Sequence, residues 1–94
     1  MSTQNRRQKF PFGNVYITRG AKDTLDTRDM IDGLLRHLSG DWGDICGDDW
    51  YANERSLEHN FRLVSSYVDR NGHRFRVITE ADRSATTILL SQEH

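Results

Sequence analysis

The hydrophobic pattern is clearest between Phe61 and Leu90, where apolar and polar positions alternate in three successive runs. A period of two marks half-buried strands, because successive side chains point to opposite sides of the backbone. The runs Phe61–Asp69, His73–Glu80 and Ala85–Leu90 therefore predict a three-stranded antiparallel meander. Asn71-Gly72 separates the first two runs, and both residues tolerate the positive φ of a tight type I′ hairpin turn. Pairing outward from that turn sets Arg70 opposite His73, Val68 opposite Phe75, Ser66 opposite Val77 and Val64 opposite Thr79. The loop Ala81-Asp82-Arg83-Ser84 then places Val77 opposite Ile88 and Phe75 opposite Leu90. One face gathers Val64, Val68, Phe75, Val77, Ile88 and Leu90 and is expected to carry the helices. The other gathers Leu63, Ser65, Tyr67, Arg74, Arg76, Ile78, Thr87 and Leu89, an amphipathic open face on which Tyr67 would stack on Arg76.

Upstream, Asn14–Thr18 alternates around Val15 and Ile17 and predicts a short strand docked on an edge of the meander. Thr18 is placed to cap a short helix from Arg19. A longer helix follows, capped by Asp26 or Thr27, with Met30, Ile31, Leu34, Leu35 and Leu38 in one stripe. Gly40 is placed to end it in a left-handed conformation. A third helix is expected from about Asp49 to Glu58, capped by Asp48, with Trp50 and Leu57 inward. These elements predict an α+β domain over residues 10–94, an N-terminal strand and two to three helices on one face of the meander. Residues 1–9 are polar, basic and unpatterned, and read as a disordered tail.

Composition narrows the function classes. The 94 residues suffice for one small domain, with 35% hydrophobic content. A single cysteine, Cys46, excludes an internal disulfide and fits a reducing compartment. No apolar run approaches the ~20 residues of a membrane span, so the expectation is a cytoplasmic protein without membrane contact. The net charge of −1 is unevenly spread: residues 38–60 carry Asp41, Asp44, Asp48, Asp49, Glu54 and Glu58 against Arg55 alone. From Phe61 onward the balance is mildly basic, short of what a broad nucleic-acid grip requires.

The stretch Gly40-Asp41-Trp42-Gly43-Asp44-Ile45-Cys46-Gly47-Asp48-Asp49-Trp50 sets three glycines and four aspartates around two tryptophans. It reads first as a structured loop whose Trp42 covers one end of the core. Its aspartates lack the spacing of a calcium loop, and His37, His59, His73 and His94 make no zinc pattern with Cys46. The histidines are expected at helix ends or on the surface, and Cys46 as a half-buried structural thiol. No cofactor or metal is expected, and no catalytic residue. At the last hairpin, Asp82 and Ser84 are expected to bond the local backbone and Arg83 to pair with Glu80 or Asp82.

One set of residues runs through most of the chain: Phe12-Gly13, Val15, Thr18, Gly20-Ala21, Gly40-Asp41-Trp42-Gly43, Asp49, Asn53, Arg62, Ser65 and Tyr67. It ends on Val77-Ile78-Thr79-Glu80-Ala81-Asp82-Arg83-Ser84, Thr86 and Ile88-Leu89-Leu90. This pattern resembles a family of small bacterial proteins of plasmids and other mobile elements, with Ser91 standing where such proteins commonly have proline. The resemblance implies a mobile-element setting and brings no catalytic residue with it. By analogy with small anti-defence proteins, the expected role is a non-enzymatic, anti-CRISPR-like inhibitor that binds a host protein or nucleoprotein complex. Asp41, Trp42, Asp44, Asp48, Asp49 and Glu54 are the residues expected to bind it, through charge and aromatic contact. The alternative follows the element order of ParE/RelE-like toxins and places nucleic acid on Arg62, Tyr67, Arg74, Arg76 and Arg83. A homodimer through the open sheet face is a third expectation.

Overall fold

The structure, a computed structural model, describes residues 7–93. Residues 1–6 of the expected disordered tail lie outside the described residues. Within 7–9, Lys9 already donates its backbone N–H to Leu38 O at 2.8 Å. The chain is α+β: β1 (Asn14–Ile17), α1 (Arg19–Thr24), α2 (Thr27–Leu38), α3 (Gly47–His59), β2 (Leu63–Val68), β3 (Arg74–Thr79) and β4 (Ala85–Leu90). A 3-10 turn at Ser91–Glu93 follows β4. The strands form one mixed sheet in the order β1-β4-β3-β2, with β1 parallel to β4 and the other pairs antiparallel.

Local chemistry sets the helix starts. Thr18 Oγ1 accepts from Ala21 N, and Asp26 Oδ1 accepts from Arg28 N, so one orphan amide of each helix is satisfied by a short polar side chain. Gly40 follows α2 with φ +84°. The start of α3 differs from expectation. Its N-cap is Cys46, which makes no side-chain cap bond, and Asp48 and Asp49 fall inside the first turn, where the helix dipole favours their charge.

Between β3 and β4 the register is as the alternation predicts, with Val77 opposite Ile88 and Phe75 opposite Leu90. Between β2 and β3 it is displaced by one residue: Tyr67 pairs with Phe75, Ser65 with Val77 and Leu63 with Thr79. The hairpin is not closed by a two-residue Asn71-Gly72 turn. Asp69 and His73 close it instead, Asp69 N donating to His73 O at 2.9 Å across a three-residue loop. The Asp69 carboxylate accepts from Asn71 N and His73 N at 2.9 and 2.8 Å, and Gly72 takes the positive φ of +87° that such a loop needs. Because side chains alternate, this slip turns the whole of β2 over. Leu63, Ser65 and Tyr67 face the helices, while Val64, Ser66 and Val68 lie on the open side with Arg74, Arg76, Ile78, Thr87 and Leu89.

The core has two parts. Ala21, Leu25 and Met30 pack on Tyr67, Phe75, Val77, Ile88 and Leu90. Phe10, Leu38, Trp42 and Leu63 form the second, with Phe12, Leu34, Ile45 and Leu57 against it. The stripe of α2 is rotated from the expected one: Met30, Gly33, His37 and Leu38 are buried, whereas Ile31 and Leu35 are exposed. Arg36 on the opposite flank lies over the Tyr67 ring at 4.6 Å, taking the cation–π position expected of Arg76.

His37 is not a surface histidine; it is fully buried, T-shaped against Phe10 and Trp42. Its Nδ1 lies 2.5 Å from Ser65 Oγ and its Nε2 2.9 Å from Thr79 Oγ1. Thr79 Oγ1 is 2.7 Å from Thr86 Oγ1, which donates to Phe12 O at 2.8 Å. One fixed end orients the whole chain, since each hydroxyl has a single proton to give. Thr86 spends its proton on Phe12 O and so accepts from Thr79; Thr79 therefore accepts from His37 Nε2–H, and Nδ1 accepts from Ser65. The imidazole is neutral, and burial pulls its pKa down to about 3, with the Arg83 charge adding to the effect.

Candidate functional site

α3 and the loop before it lie along β2, and this corner holds most of the residues singled out from sequence. The loop is pinned to the strand: Ser66 N donates to Trp42 O and Asp44 N to Ser66 O, a parallel bridge between Gly43 and Ser66. Nearly two turns into α3, Asn53 extends its amide to the same strand. Its Nδ2 donates to Val64 O at 2.7 Å and its Oδ1 accepts from Val64 N at 3.1 Å. Ser56 Oγ bonds Arg62 O. The outer edge of β2 is thus paired by loop and side chains in place of a fifth strand.

The six residues expected to bind a partner divide. Trp42 is 2% exposed, buried among Phe10, Leu38 and Leu63, and its Nε1 donates to Glu54 Oε2 at 2.7 Å. It is a core residue and not a surface contact, because its ring packs against those of Phe10 and His37. Asp41 pairs with Arg36 at 2.8 Å and its carbonyl accepts from Tyr67 Oη. Asp44 pairs with Arg74 at 2.9 Å. Asp48 and Asp49 are exposed and make no ion pair among the described residues. Next to them Trp50 and Tyr51 are 45% and 67% exposed, edge to face with centroids 5.2 Å apart. Trp50 therefore points outward and not into the core, and Cys46 is exposed rather than half-buried.

The arginine set divides as well. Tyr67 lies under α2 on the far side of the sheet, as the register slip requires, and burial raises the pKa of its hydroxyl. Arg83 has φ +63° and, in place of the expected pairing with the Glu80 or Asp82 carboxylate, donates to backbone carbonyls: Phe61 O and Ser56 O at 2.7 Å and Glu80 O at 3.1 Å. Its guanidinium ties the last hairpin to the end of α3. Asp82 Oδ1 accepts from Ser84 N, the local turn bond expected there. Arg74 is held by Asp44. Arg62 and Arg76 remain, without an ion pair among the described residues, and both line a cleft of about 400 Å³ with Asp44, Asp49, Ser66 and Cys46. Two sets kept apart in the sequence, the acidic loop and the sheet arginines, meet in this one cleft.

Among the described residues no group of three His, Cys, Asp or Glu side chains is placed to hold a metal, and no helix is long and apolar enough to cross a membrane. Ser65 and His37 have the contact of a nucleophile and its base, yet both are 0% exposed, out of reach of any substrate. No family model, curated protein or solved structure matches the chain. Sequence reasoning passed over Asn53 as more than a motif position, and over Tyr51. The signal for Tyr51 was its place beside Trp50 and two aspartates in a helix whose polar side faces water.

Proposed function

We propose that the protein is a non-catalytic, cytoplasmic protein-binding protein of a mobile genetic element, inhibiting a host defence complex through the exposed N-terminal part of α3. One observation carries this reading: Asp48 and Asp49, unpaired and exposed, adjoin the exposed aromatic pair Trp50 and Tyr51 on one helix. Carboxylates beside accessible aromatic rings suit a basic groove on a partner. The charges steer the encounter and the rings supply the desolvated contact that dominates binding energy. The resemblance to mobile-element proteins supports the setting. The working residues on this reading are Asp48, Asp49, Trp50 and Tyr51, with Asp44 and Glu54 at the rim and Asp41 and Trp42 holding the loop.

The nucleic-acid reading retains only Arg62 and Arg76 of its five residues, flanked by the carboxylates of Asp44 and Asp49, and loses most of its support. The test is plasmid transformation into a host whose defence system targets that plasmid. Expression of the protein should restore transformation, and the double variant Asp48→Lys, Asp49→Lys should abolish the rescue while leaving circular dichroism unchanged. Full rescue by that variant would refute the reading.

A further inference from the structure

We propose that β1 is a dimerisation strand: two copies of this chain pair antiparallel along β1 about a two-fold axis through Tyr16, joining their sheets into one. β1 ends the sheet. Asn14 N and Thr18 N donate inward to Ser84 O and Ile88 O. Since backbone polar groups alternate in direction along a strand, those of Val15 and Ile17 point outward, away from β4. Nothing among the described residues pairs with this edge. Among the described residues it also lacks the usual protection, having no lysine, proline, bulge or covering loop. All three apolar residues are open, Val15 at 38%, Tyr16 at 54% and Ile17 at 46%.

The partner follows from the symmetry of the strand. Val15 and Ile17 are in register with Thr86 and Ile88 on the helix side, whereas Tyr16 is in register with Thr87 on the open side. A two-fold axis through Tyr16, perpendicular to the sheet, sets Val15 opposite Ile17 of the other copy and Tyr16 opposite Tyr16. Every side chain then meets one on its own side of the sheet. The outward N–H and C=O of Val15 and Ile17 fall opposite one another, so each Val15–Ile17 pair exchanges two hydrogen bonds, and Asn14 meets Thr18 at the ends. A strand whose free groups and apolar residues match their own two-fold image fits a second copy of itself. The open sheet face is the poorer choice, because face-to-face contact would bring the unpaired Arg76 guanidinium of each copy towards the other sheet.

The test is cross-linking in a Cys46→Ser background, which removes the only native thiol. Tyr16→Cys should oxidise to a covalent dimer, since opposite residues of a non-hydrogen-bonded pair have Cα atoms ~4.5 Å apart, within disulfide reach. Val15→Cys should not link to itself but should link to Ile17→Cys when the two are mixed. In sedimentation the wild type should run at twice the chain mass at about 200 µM, and Tyr16→Lys, which sets two ammonium groups on the axis, should run as a monomer with unchanged circular dichroism. A monomeric wild type at that concentration overturns the proposal. So does a dimer that survives Tyr16→Lys, or Tyr16→Cys linking no faster than Asn71→Cys at the exposed hairpin tip.

Discussion

Along the outer edge of β2 the backbone groups are met one after another by the chain itself: Ser66 by Trp42 and Asp44, Val64 by the amide of Asn53, Arg62 by Ser56. Along the outer edge of β1 the groups of Val15 and Ile17 meet nothing among the described residues. A sheet edge left bare is a template for another strand, so an edge is either covered or used. The Gly40–Trp50 stretch, with its glycines and aspartates, covers the β2 edge and presents the α3 face beyond it. The contrast explains why so polar a loop has so ordered a path. It also singles out β1 as the edge left uncovered among the described residues.

The largest effect is expected where cover and strand come closest. A Cβ on Gly43 would sit 2.1 Å from Ser66 O and 2.6 Å from the Tyr67 ring, at a backbone φ of +75°. Gly43→Ala should therefore cost about 3–4 kcal/mol and lower Tm by more than about 12 °C in calorimetry. A near-wild-type Tm would mean that the loop does not pin the β2 edge.

Asn53 comes next. Asn53→Ala removes both bonds to Val64 and should cost about 2–3 kcal/mol. Asn53→Asp keeps the acceptor for Val64 N but turns the former donor into an oxygen facing Val64 O, so it should be at least as damaging at pH 7. Amide exchange at Val64 reads the same event, and its protection should fall in both variants. If Asn53→Asp were tolerated, the two-bond pairing would be wrong.

The two edges are joined through the interior by the chain from Ser65 on β2 through His37, Thr79 and Thr86 to Phe12, just before β1. Its imidazole is held neutral down to about pH 3, while the unfolded chain takes up a proton near the ordinary histidine value of about 6.5. Below that value the unfolded state binds more protons than the folded one, so stability falls on acidification. From pH 7 to 5 the loss from His37 should be on the order of 2 kcal/mol, seen in urea unfolding. The depressed carboxyl of Asp29, held at about 2 chiefly by its hydrogen bond from Arg70, acts in a separate and more acidic window, below its unfolded value. His37→Gln should abolish the slope between pH 7 and 5. A slope that persists in that variant would assign the effect to another group.

At β1 the smallest effect on the fold is expected. Tyr16→Lys should change the stability of the isolated chain by no more than about 0.5 kcal/mol, because the residue is exposed. Urea unfolding at high dilution checks this. A loss comparable to that of Asn53→Ala would show that β1 is held by its own side chains rather than left open.

Much of this arrangement was legible in the chain. The helix starts at Thr18 and Asp26, the strand boundaries and the β3–β4 register follow from local rules that short-range contacts satisfy. The β2–β3 register did not, and with it the placing of Tyr67 was reversed. A two-residue and a three-residue loop both suit Arg70-Asn71-Gly72. The choice fell to the Asp69 carboxylate, which accepts two amides in one register only, and to the better burial of Tyr67 and Leu63 over Val68 and Val64. Of the candidate site, the acidic, aromatic character of the stretch from Asp41 to Glu54 was legible. Which member of it faces water was not: Trp42 and Trp50 stand in similar company and take opposite roles.

The sequence by itself determined the elements, the α+β class and the charged character of the loop and α3, because each rests on periodicity, caps and composition within a few residues. The tertiary structure alone decided which side of β2 is buried, that His37 lies in the core, and that, among the described residues, one sheet edge is closed and the other open. Those outcomes depend on groups 11 to 42 positions apart, such as Asn53 with Val64 or His37 with Thr79. No local pattern records whether a distant side chain arrives to satisfy a backbone group.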